Sequence, residues 1–429
     1  MAVESAVMAT PRSRTRQLLA TSAGNLVEWY DWLAYAYLTT YFADQVFPQS
    51  GDRLVPLLSA FAVFAVGFVM RPVGGLVIGA ISDRFGRRTA MTLTITLMGV
   101  GQLSMAVLPT YAQVGLLSPL LLILIRLIQG FSVGGEFAVS SVFLVESAPP
   151  GRRGLFSSFS YFSSNLGQLL AAGVAALLSN TLSQSDMASW GWRLPFALGA
   201  VACLIGLWVR YGTDETYVHA EAIREGRTRR PGLFDFLRHH PRESLLIVGI
   251  TVGATVSFYT WSIYLPTYAE ITVGADPGQA LIASTIALAF FTVIQPLGGL
   301  LSDRVGRKPL LIAFGVGFTL LTVPMLNLLQ NSFWSLLLIM CVAMVLLTGY
   351  TSVCSAVMVE LFPAHVRTTG IGFPYAATVA MFGGTAPYLA TALADSGRGA
   401  WFGWYATALI LVSTVVYIRM RETRDTPLS

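Results

Sequence analysis

Charge is what this chain has least of: only 11% of its 429 residues are Asp, Glu, Lys or Arg and 54% are hydrophobic, where soluble domains carry about 25% charged residues. That balance excludes an ordinary soluble enzyme or regulator and points to a bilayer as the surroundings. Lysine is nearly absent, with Lys308 the sole example, so no Gly-x-x-x-x-Gly-Lys-Ser/Thr loop for nucleotide phosphates exists. Any work must therefore draw on an ion or solute gradient. Histidine is scarce too: His219, His239, His240 and His365 all fall between apolar runs, which removes histidine as a proton carrier inside the membrane. Cys203, Cys341 and Cys354 lie within apolar runs, without metal-ligand spacing or an obvious pairing, and read as small buried hydrophobes. No metal, cofactor or nucleophile–base pair is expected, so an enzyme is not the reading.

What is present is a dozen apolar runs near the roughly 20 residues that cross a bilayer as a helix. They fall at about 17–42, 55–80, 89–109, 117–145, 154–179, 191–211, 243–269, 278–301, 309–329, 333–359, 366–393 and 401–420. The class is an all-α membrane protein; a β-barrel would show short alternating segments instead. Forty Gly and twenty Pro suit membrane helices. The first run carries Glu28 and Asp31 and lacks a small-residue cleavage pattern, so it reads as a retained span.

The net charge of +5 is spread over alternate loops, not gathered on a face for nucleic acid. Arg12, Arg14 and Arg16 precede the first span, Arg84, Arg87 and Arg88 follow the second, and Arg152 and Arg153 follow the fourth. Arg304, Arg307 and Lys308 follow the eighth span, and Arg421 and Arg424 the twelfth. The positive-inside rule then puts both termini in the cytoplasm. Residues 212–242 are charged and read as a cytoplasmic linker between two six-helix halves, 1–211 and 243–429. Within it, Pro231-Gly-Leu-Phe-Asp-Phe-Leu could lie on the membrane as a short amphipathic helix.

The halves repeat. Gly79-Ala-Ile-Ser-Asp83-Arg84-Phe-Gly86-Arg87-Arg88 recurs as Gly299-Leu-Leu-Ser-Asp303-Arg304-Val-Gly306-Arg307-Lys308, 220 residues on (303 minus 83). Glu146-x-x-Pro149-x-x-x-Arg153 recurs as Glu360-x-x-Pro363-x-x-x-Arg367, shifted by 214 (360 minus 146). Two motifs repeating at nearly one shift imply a duplicated unit. Taken alone, the Arg residues could merely fix topology, but that leaves the matched Asp and Glu unexplained.

Ionisable groups inside spans are costly and are functional candidates by default. Asn25, Glu28, Asp31 and Trp32, with Tyr30 among them, occupy the first span; Arg71 lies in the second, and Arg126, Gln129 and Glu136 in the fourth. Asn25, Glu28, Asp31 and Trp32 share a face at helical period. Arg71 and Arg126 suit an anionic solute, because a guanidinium stays charged and forks onto a carboxylate. The alternative is a structural ion pair with Glu28, Asp31 or Glu136, and the two roles are compatible. A carboxylic acid in low dielectric favours its neutral form, so Glu28, Asp31 and Glu136 are the proton-coupling candidates, with Glu136 expected beside Arg126. The second half offers Phe258, Tyr259, Trp261, Tyr264, Gln295, Tyr350 and Tyr375 as polar or aromatic wall groups.

The duplicated loops and the Glu-x6-Arg element resemble the major facilitator superfamily. The resemblance implies twelve helices in two halves and a cytoplasmic gate of Asp83, Arg84, Arg87, Arg88, Glu146, Arg153, Asp303, Arg304, Arg307, Glu360 and Arg367. Gly24-Asn-Leu-Val-Glu-Trp-Tyr-Asp31, Met70-Arg-Pro-Val-Gly-Gly75, Arg126-x-x-Gln-Gly-x-x-x-Gly-Gly-Glu136 and Trp190-Gly-Trp-Arg-Leu-Pro-Phe196 are similar to its metabolite:proton symporter family. Within that family, Ser257-Phe-Tyr-Thr260, Ile294-Gln-Pro-Leu297 and Met358–Arg367 look most like the α-ketoglutarate permeases, which can carry His where this chain has Asp44. The resemblance implies inner-membrane uptake of a small anionic metabolite driven by protons, with Arg71, Arg126, Gln129, Tyr30, Tyr259 and Gln295 around the solute. Citrate, shikimate and proline or betaine are the alternative substrates. The lipid bilayer is the other partner, no nucleic acid is expected, and the chain is expected to work as a monomer.

Overall fold

The computed structural model describes residues 11–48, 54–211, 232–395 and 398–428. Twelve long helical stretches fill the described residues. The first six are α1 (Pro11–Val46), α2 (Leu54–Phe85), α3 (Arg87–Ala106), α4 (Leu117–Glu146), α5 (Arg153–Thr181) and α6 (Leu194–Tyr211). The last six are α7 (Pro241–Val273), α8 (Pro277–Val305), α9 (Arg307–Asn327), α10 (Phe333–Leu361), α11 (residues 367–395) and α12 (Gly399–Arg419). Among the described residues, nine helices are long and apolar enough to cross a membrane; α1, α3 and α11 are the long ones outside that set. α1 is diluted by Asn25, Glu28 and Asp31, and α3 by threonines and Gln102. The helix in α11 is interrupted by a π turn at Val379–Gly383.

The exterior is apolar, and the largely hydrophobic interior holds a set of charged and amide side chains. Leu204, Trp208, Leu245, Val293, Trp334 and Trp404 are exposed, while Asn25, Glu28, Asp31, Arg126, Gln129 and Glu136 are buried. Such an arrangement is stable only when lipid, not water, covers the outside.

Most of the expected linker, 212–231, lies outside the described residues, including Arg224, Arg227, Arg229, Arg230 and His219. Its last part forms a short helix, Asp235–His239, with Phe236 buried and Leu233, Phe234 and Leu237 exposed. α7 then starts at Pro241, two residues before the sequence reading placed it, with proline in the first turn where its missing N–H costs nothing.

Within the first half α2 packs most extensively on α4, and α1 on α5; between the halves α5 packs on α8 and α2 on α11. The two cross-half contacts are equivalent under the internal repeat. Each runs backbone against backbone: a Cβ on Gly299 would meet the Gly154 carbonyl at 2.5 Å, and one on Gly79 would meet the Thr369 Cα at 2.9 Å. Gly86 and Gly306 occupy the same left-handed conformation, φ 100°, in the loop after each Asp-Arg pair.

Candidate functional site

The α2–α4 crossing places the first candidate, Arg71. A Cβ on Gly130 would lie 2.2 Å from the Gly67 carbonyl and one on Gly134 2.0 Å from the Arg71 carbonyl, so these small residues let the helices touch. The Arg71 backbone is thus held against α4 while its side chain reaches between the halves. Its guanidinium carbon lies 4.4 Å from the Trp32 ring centroid and 4.2 Å from that of Phe68. Those faces attract a cation without neutralising it. Arg71 is 7% exposed, and among the described residues no carboxylate lies within 4.0 Å of it and its Nε has no hydrogen-bond partner.

Arg71 lines a cavity walled by both halves. Glu28, Trp29, Phe137, Tyr161 and Ser164 come from the first half; Thr255, Phe258, Tyr259, Tyr350, Tyr375 and Val379 come from the second. The space open to the centres of water molecules is about 40 Å³, the scale of a few waters or one small solute, since one water needs about 10–15 Å³. Aromatic edges close it: Trp29 meets Phe258 at 5.7 Å, Tyr161 meets Phe258 at 5.5 Å, and Phe137 stacks on Tyr375 at 3.8 Å. Tyr259 and Val379 each open a π turn, Tyr259–Tyr264 and Val379–Gly383. π turns are frequent where a helix is bent to function. Gly383 packs on the Tyr259 ring, which would lie 2.6 Å from an added Cβ; here the glycine serves close packing.

The other buried charges form two separate groups. Asp31 accepts from Gln129 Nε2 at 2.9 Å and Arg126 Nη1 at 3.4 Å, and Arg126 lies 3.6 Å over the Tyr35 ring. Arg126 Nε and Nη2 have no hydrogen-bond partner among the described residues. Glu136 does not sit beside Arg126 as expected. It receives Arg210 Nη2 at 2.5 Å and the Thr94 hydroxyl, and Arg210 also donates to the Met91 carbonyl. The space for this pair exists because residue 24 is glycine: a Cβ there would collide with both Arg210 and Glu136. Arg210 went unnoticed in the sequence because it ends an apolar run and resembles an ordinary flanking arginine.

Six of the nine solute and proton candidates therefore lie outside the cavity wall. Arg71, Tyr259 and Glu28 line it; Arg126, Gln129 and Asp31 form a neighbouring cluster, and Glu136 pairs elsewhere. The Tyr30 hydroxyl donates to the Pro195 carbonyl at 2.9 Å, and Gln295 exchanges hydrogen bonds with Thr351 at 2.9 and 3.0 Å. Trp29 and Tyr161 also belong to the wall but carry no charge that would mark them in a sequence.

At the end of the bundle bearing the repeated motifs, two matching clusters join the halves. Asp83, on α2, accepts the Thr368 N–H at 3.0 Å, the Thr369 N–H at 2.8 Å and the Thr369 hydroxyl at 2.7 Å in the first turn of α11. Asp303, on α8, accepts the Gly154 N–H at 2.7 Å and the Leu155 N–H at 2.9 Å in the first turn of α5. Each carboxylate caps a helix of the opposite half, where free N–H groups and the helix dipole favour an anion. Arg87 bridges Asp83 at 3.4 Å and Glu146 at 3.3 Å, and Arg367 reaches Glu146 at 2.7 Å. In the second copy Arg307 bridges Asp303 at 2.9 Å and Glu360 at 3.6 Å, and Arg153 reaches Glu360 at 3.4 Å. Arg84 and Arg304 stay exposed, and Arg88 donates to the Tyr211 carbonyl at 2.8 Å.

The second cluster has an addition. Glu422, beyond α12, accepts the Arg307 and Lys308 N–H groups at 2.8 and 3.0 Å, and the Thr423 hydroxyl donates to Glu360 at 2.6 Å. Partial burial pushes the Glu422 carboxyl up, but the N–H donors of Arg307, Lys308, Arg424 and Thr423 outweigh it and hold it below the usual carboxylate value.

Duplicated halves, a cavity between them lined by one cation, one carboxyl group and aromatic rings, and ion pairs that join their ends fit a class: secondary transporters built from two helix bundles. Comparison with known proteins agrees. Residues 17–231 match the family described as Sugar (and other) transporter, and residues 250–429 match the Major Facilitator Superfamily. The chain is 39% identical to the α-ketoglutarate permease of Escherichia coli (strain K12), over 96% of this chain and 94% of that one. It is 31% identical to the citrate-proton symporter of Klebsiella pneumoniae, over 95% and 93%, and 30% identical to the proline/betaine transporter of Escherichia coli (strain K12), over 96% and 84%. Among solved structures, the proton:xylose symporter bound to 6-bromo-6-deoxy-D-glucose superposes with a TM-score of 0.79 at 19% identity, covering 97% of both chains. The chain belongs to the major facilitator superfamily. It is a multi-pass membrane transporter of small metabolites, not an enzyme.

Proposed function

We propose that this protein is a proton-coupled symporter that carries a small dicarboxylate, α-ketoglutarate first among candidates, inward across the cytoplasmic membrane by alternating access. The observation that carries this reading is Arg71, a buried guanidinium in the cavity between the halves with no carboxylate within 4.0 Å among the described residues. With no carboxylate in contact, the guanidinium is available to a carboxylate of the solute, which it can hold through a forked pair. The similarity to the α-ketoglutarate permease supports the same choice. Glu28, in the same wall, takes the proton role, with Asp31 and Arg126 as a second charged pair behind it. Arg126 has two guanidinium nitrogens, Nε and Nη2, without a hydrogen-bond partner among the described residues, and could join the anion site when the halves move.

With both termini in the cytoplasm, the two motif clusters form the inner gate, closed in this conformation. Opening it means releasing Asp83 and Asp303 from the helix ends that they cap, a step between two rigid-body arrangements. A zwitterion such as proline or betaine is the second reading. It is favoured by Trp29, Tyr161 and Phe258 in the wall, which could enclose a quaternary cation while Arg71 holds its carboxylate.

The test is uptake into liposomes holding the purified protein, with labelled α-ketoglutarate, citrate, shikimate, proline and betaine, with and without an inward proton gradient. Acceleration of α-ketoglutarate by the gradient is expected, and Arg71→Gln should remove it. Glu28→Gln should keep exchange but lose accumulation against a gradient. Stimulation of a zwitterion alone would replace the dicarboxylate reading.

A further inference from the structure

We propose that Thr255 is a specificity-determining residue: its hydroxyl donates to the second carboxylate of a dicarboxylate whose first carboxylate is held by Arg71. This rests on the dicarboxylate reading above and deepens it.

Of the hydroxyl side chains in the cavity wall, all but that of Thr255 are engaged. Ser164 donates to the Ser160 carbonyl at 2.9 Å. Tyr161 and Tyr375 bond to each other across the halves, and Tyr259 bonds to the Arg71 guanidinium. Tyr350 pairs with Thr251, and both of those oxygens are closed off from the cavity. The Thr255 hydroxyl has no hydrogen-bond partner among the described residues. Nor is it sealed by packing: the unpaired hydroxyl of Thr260, further along α7, has no open surface, whereas that of Thr255 keeps some. Buried hydroxyls are nearly always satisfied by protein or by an ordered guest, so a free one in a cavity wall marks a place for a ligand atom.

Packing fixes how Thr255 stands. The residue is 6% exposed, and its methyl faces α11, 2.9 Å from where a Cβ on Gly383 would lie. The methyl is thus spent on packing, and the hydroxyl is left as the free donor. Thr255 stands one turn before Tyr259, whose hydroxyl marks the position of the Arg71 guanidinium. One helical turn rises about 5.4 Å. The carboxyl carbons of a five-carbon diacid lie on that scale, being joined through four bonds of about 1.5 Å.

The charge census of the wall selects the ligand atom. Among the described lining residues Arg71 is the one cation and Glu28 the one carboxyl group. One carboxylate of a diacid takes Arg71, and the other meets only neutral donors, of which Thr255 is the unspent one. A neutral donor adds a hydrogen bond to the anion without a second full charge that would have to be desolvated again on release. Because the two anchors belong to different halves, a diacid bridges them and a monoacid does not.

The test uses purified protein in liposomes and compares Thr255→Val and Thr255→Ser with the native chain on two substrates, α-ketoglutarate and the monoacid 2-oxobutyrate. Valine keeps the branched shape and the methyl against Gly383 but loses the hydroxyl; serine keeps the hydroxyl. Thermal unfolding in detergent checks that both variants retain stability. For Thr255→Val the expected result is a rise of about 10-fold or more in KM for α-ketoglutarate, as for loss of a hydrogen bond to a charged group. Its Vmax and its KM for 2-oxobutyrate should change less than 2-fold, and Thr255→Ser should stay near the native values on both acids. Equal effects of Thr255→Val on both acids, no effect on either, or a serine variant as impaired as the valine one would overturn the role of Thr255 while leaving the dicarboxylate reading standing. Failure of the native protein to carry α-ketoglutarate would overturn both, and the two failures are thus distinguishable.

Discussion

Replacing Asp83 by Asn probes the coupling between halves most directly. The carboxylate is 5% exposed and accepts three hydrogen bonds from the first turn of α11, at 3.0, 2.8 and 2.7 Å, besides pairing with Arg87 at 3.4 Å. Asparagine keeps an acceptor oxygen but loses the charge. Charge-assisted hydrogen bonds are roughly twice as strong as neutral ones, so a loss of about 0.5–1 kcal/mol for each of the three gives about 2 kcal/mol in all. These bonds exist only while α2 touches α11, so the loss falls on the closed arrangement and shifts the open-to-closed ratio by about 30-fold. A cysteine in place of the fully buried Ser82, whose hydroxyl meets that of Thr368 at 3.1 Å across the α2–α11 contact, reports that shift with little change of volume. Maleimide labelling in a background where the three native cysteines are serine should rise by an order of magnitude in the Asp83→Asn variant. Unchanged labelling, with uptake also unchanged, would refute the claim that capping across the halves holds this end shut.

Other outcomes follow from the same geometry. Arg126→Gln should lower stability as well as uptake, by about 3–5 kcal/mol, because it leaves Asp31 buried without its cation. The Arg126→Gln, Asp31→Asn double variant should recover much of that stability in a thermal-shift cycle, and additive losses would argue against direct pairing. Gly134→Leu should prevent normal expression, since even a Cβ would lie 2.0 Å from the Arg71 carbonyl; a folded, active variant would mean that α2 and α4 do not cross as closely as this. Glu422→Gln should cost a few tenths of a kcal/mol, the range for an exposed charge at a helix start. Because the folded state holds that carboxyl below its usual value, its contribution is present above about pH 4.5 and fades as pH falls through the lowered value. The variant's melting temperature should therefore differ from the native one at pH 7 and converge with it in acid.

Much of the architecture was legible because its causes are local. Apolar length marks a span, arginine in alternate loops marks a side, and a motif copied 220 residues on marks a duplication. The scarcity of intramembrane charge made Arg71, Arg126, Glu28 and Asp31 conspicuous, and the structure does bury all four. Their division of labour was not legible. Glu136 and Arg126 stand ten residues apart on one helix, yet Glu136 pairs with Arg210, because α6 and the gap at Gly24 bring that arginine closer. Nor could the motif carboxylates be matched to their partners. Asp83 and Asp303 bond to backbone N–H groups of Thr368, Thr369, Gly154 and Leu155, and a backbone donor is present at every residue except proline.

By itself, then, the amino-acid order determined the membrane class, the twofold repeat and the short roster of buried charges, since hydropathy and desolvation act on each residue where it stands. Which of those charges meet, which one is left facing a cavity, and which neutral rings complete the wall were decided only by packing. Helix crossings set by Gly67, Gly130 and Gly134, and by Gly154 and Gly299, bring together residues far apart in the chain. Contacts of that kind depend on the orientation of whole helices, and no run of sequence encodes that orientation alone.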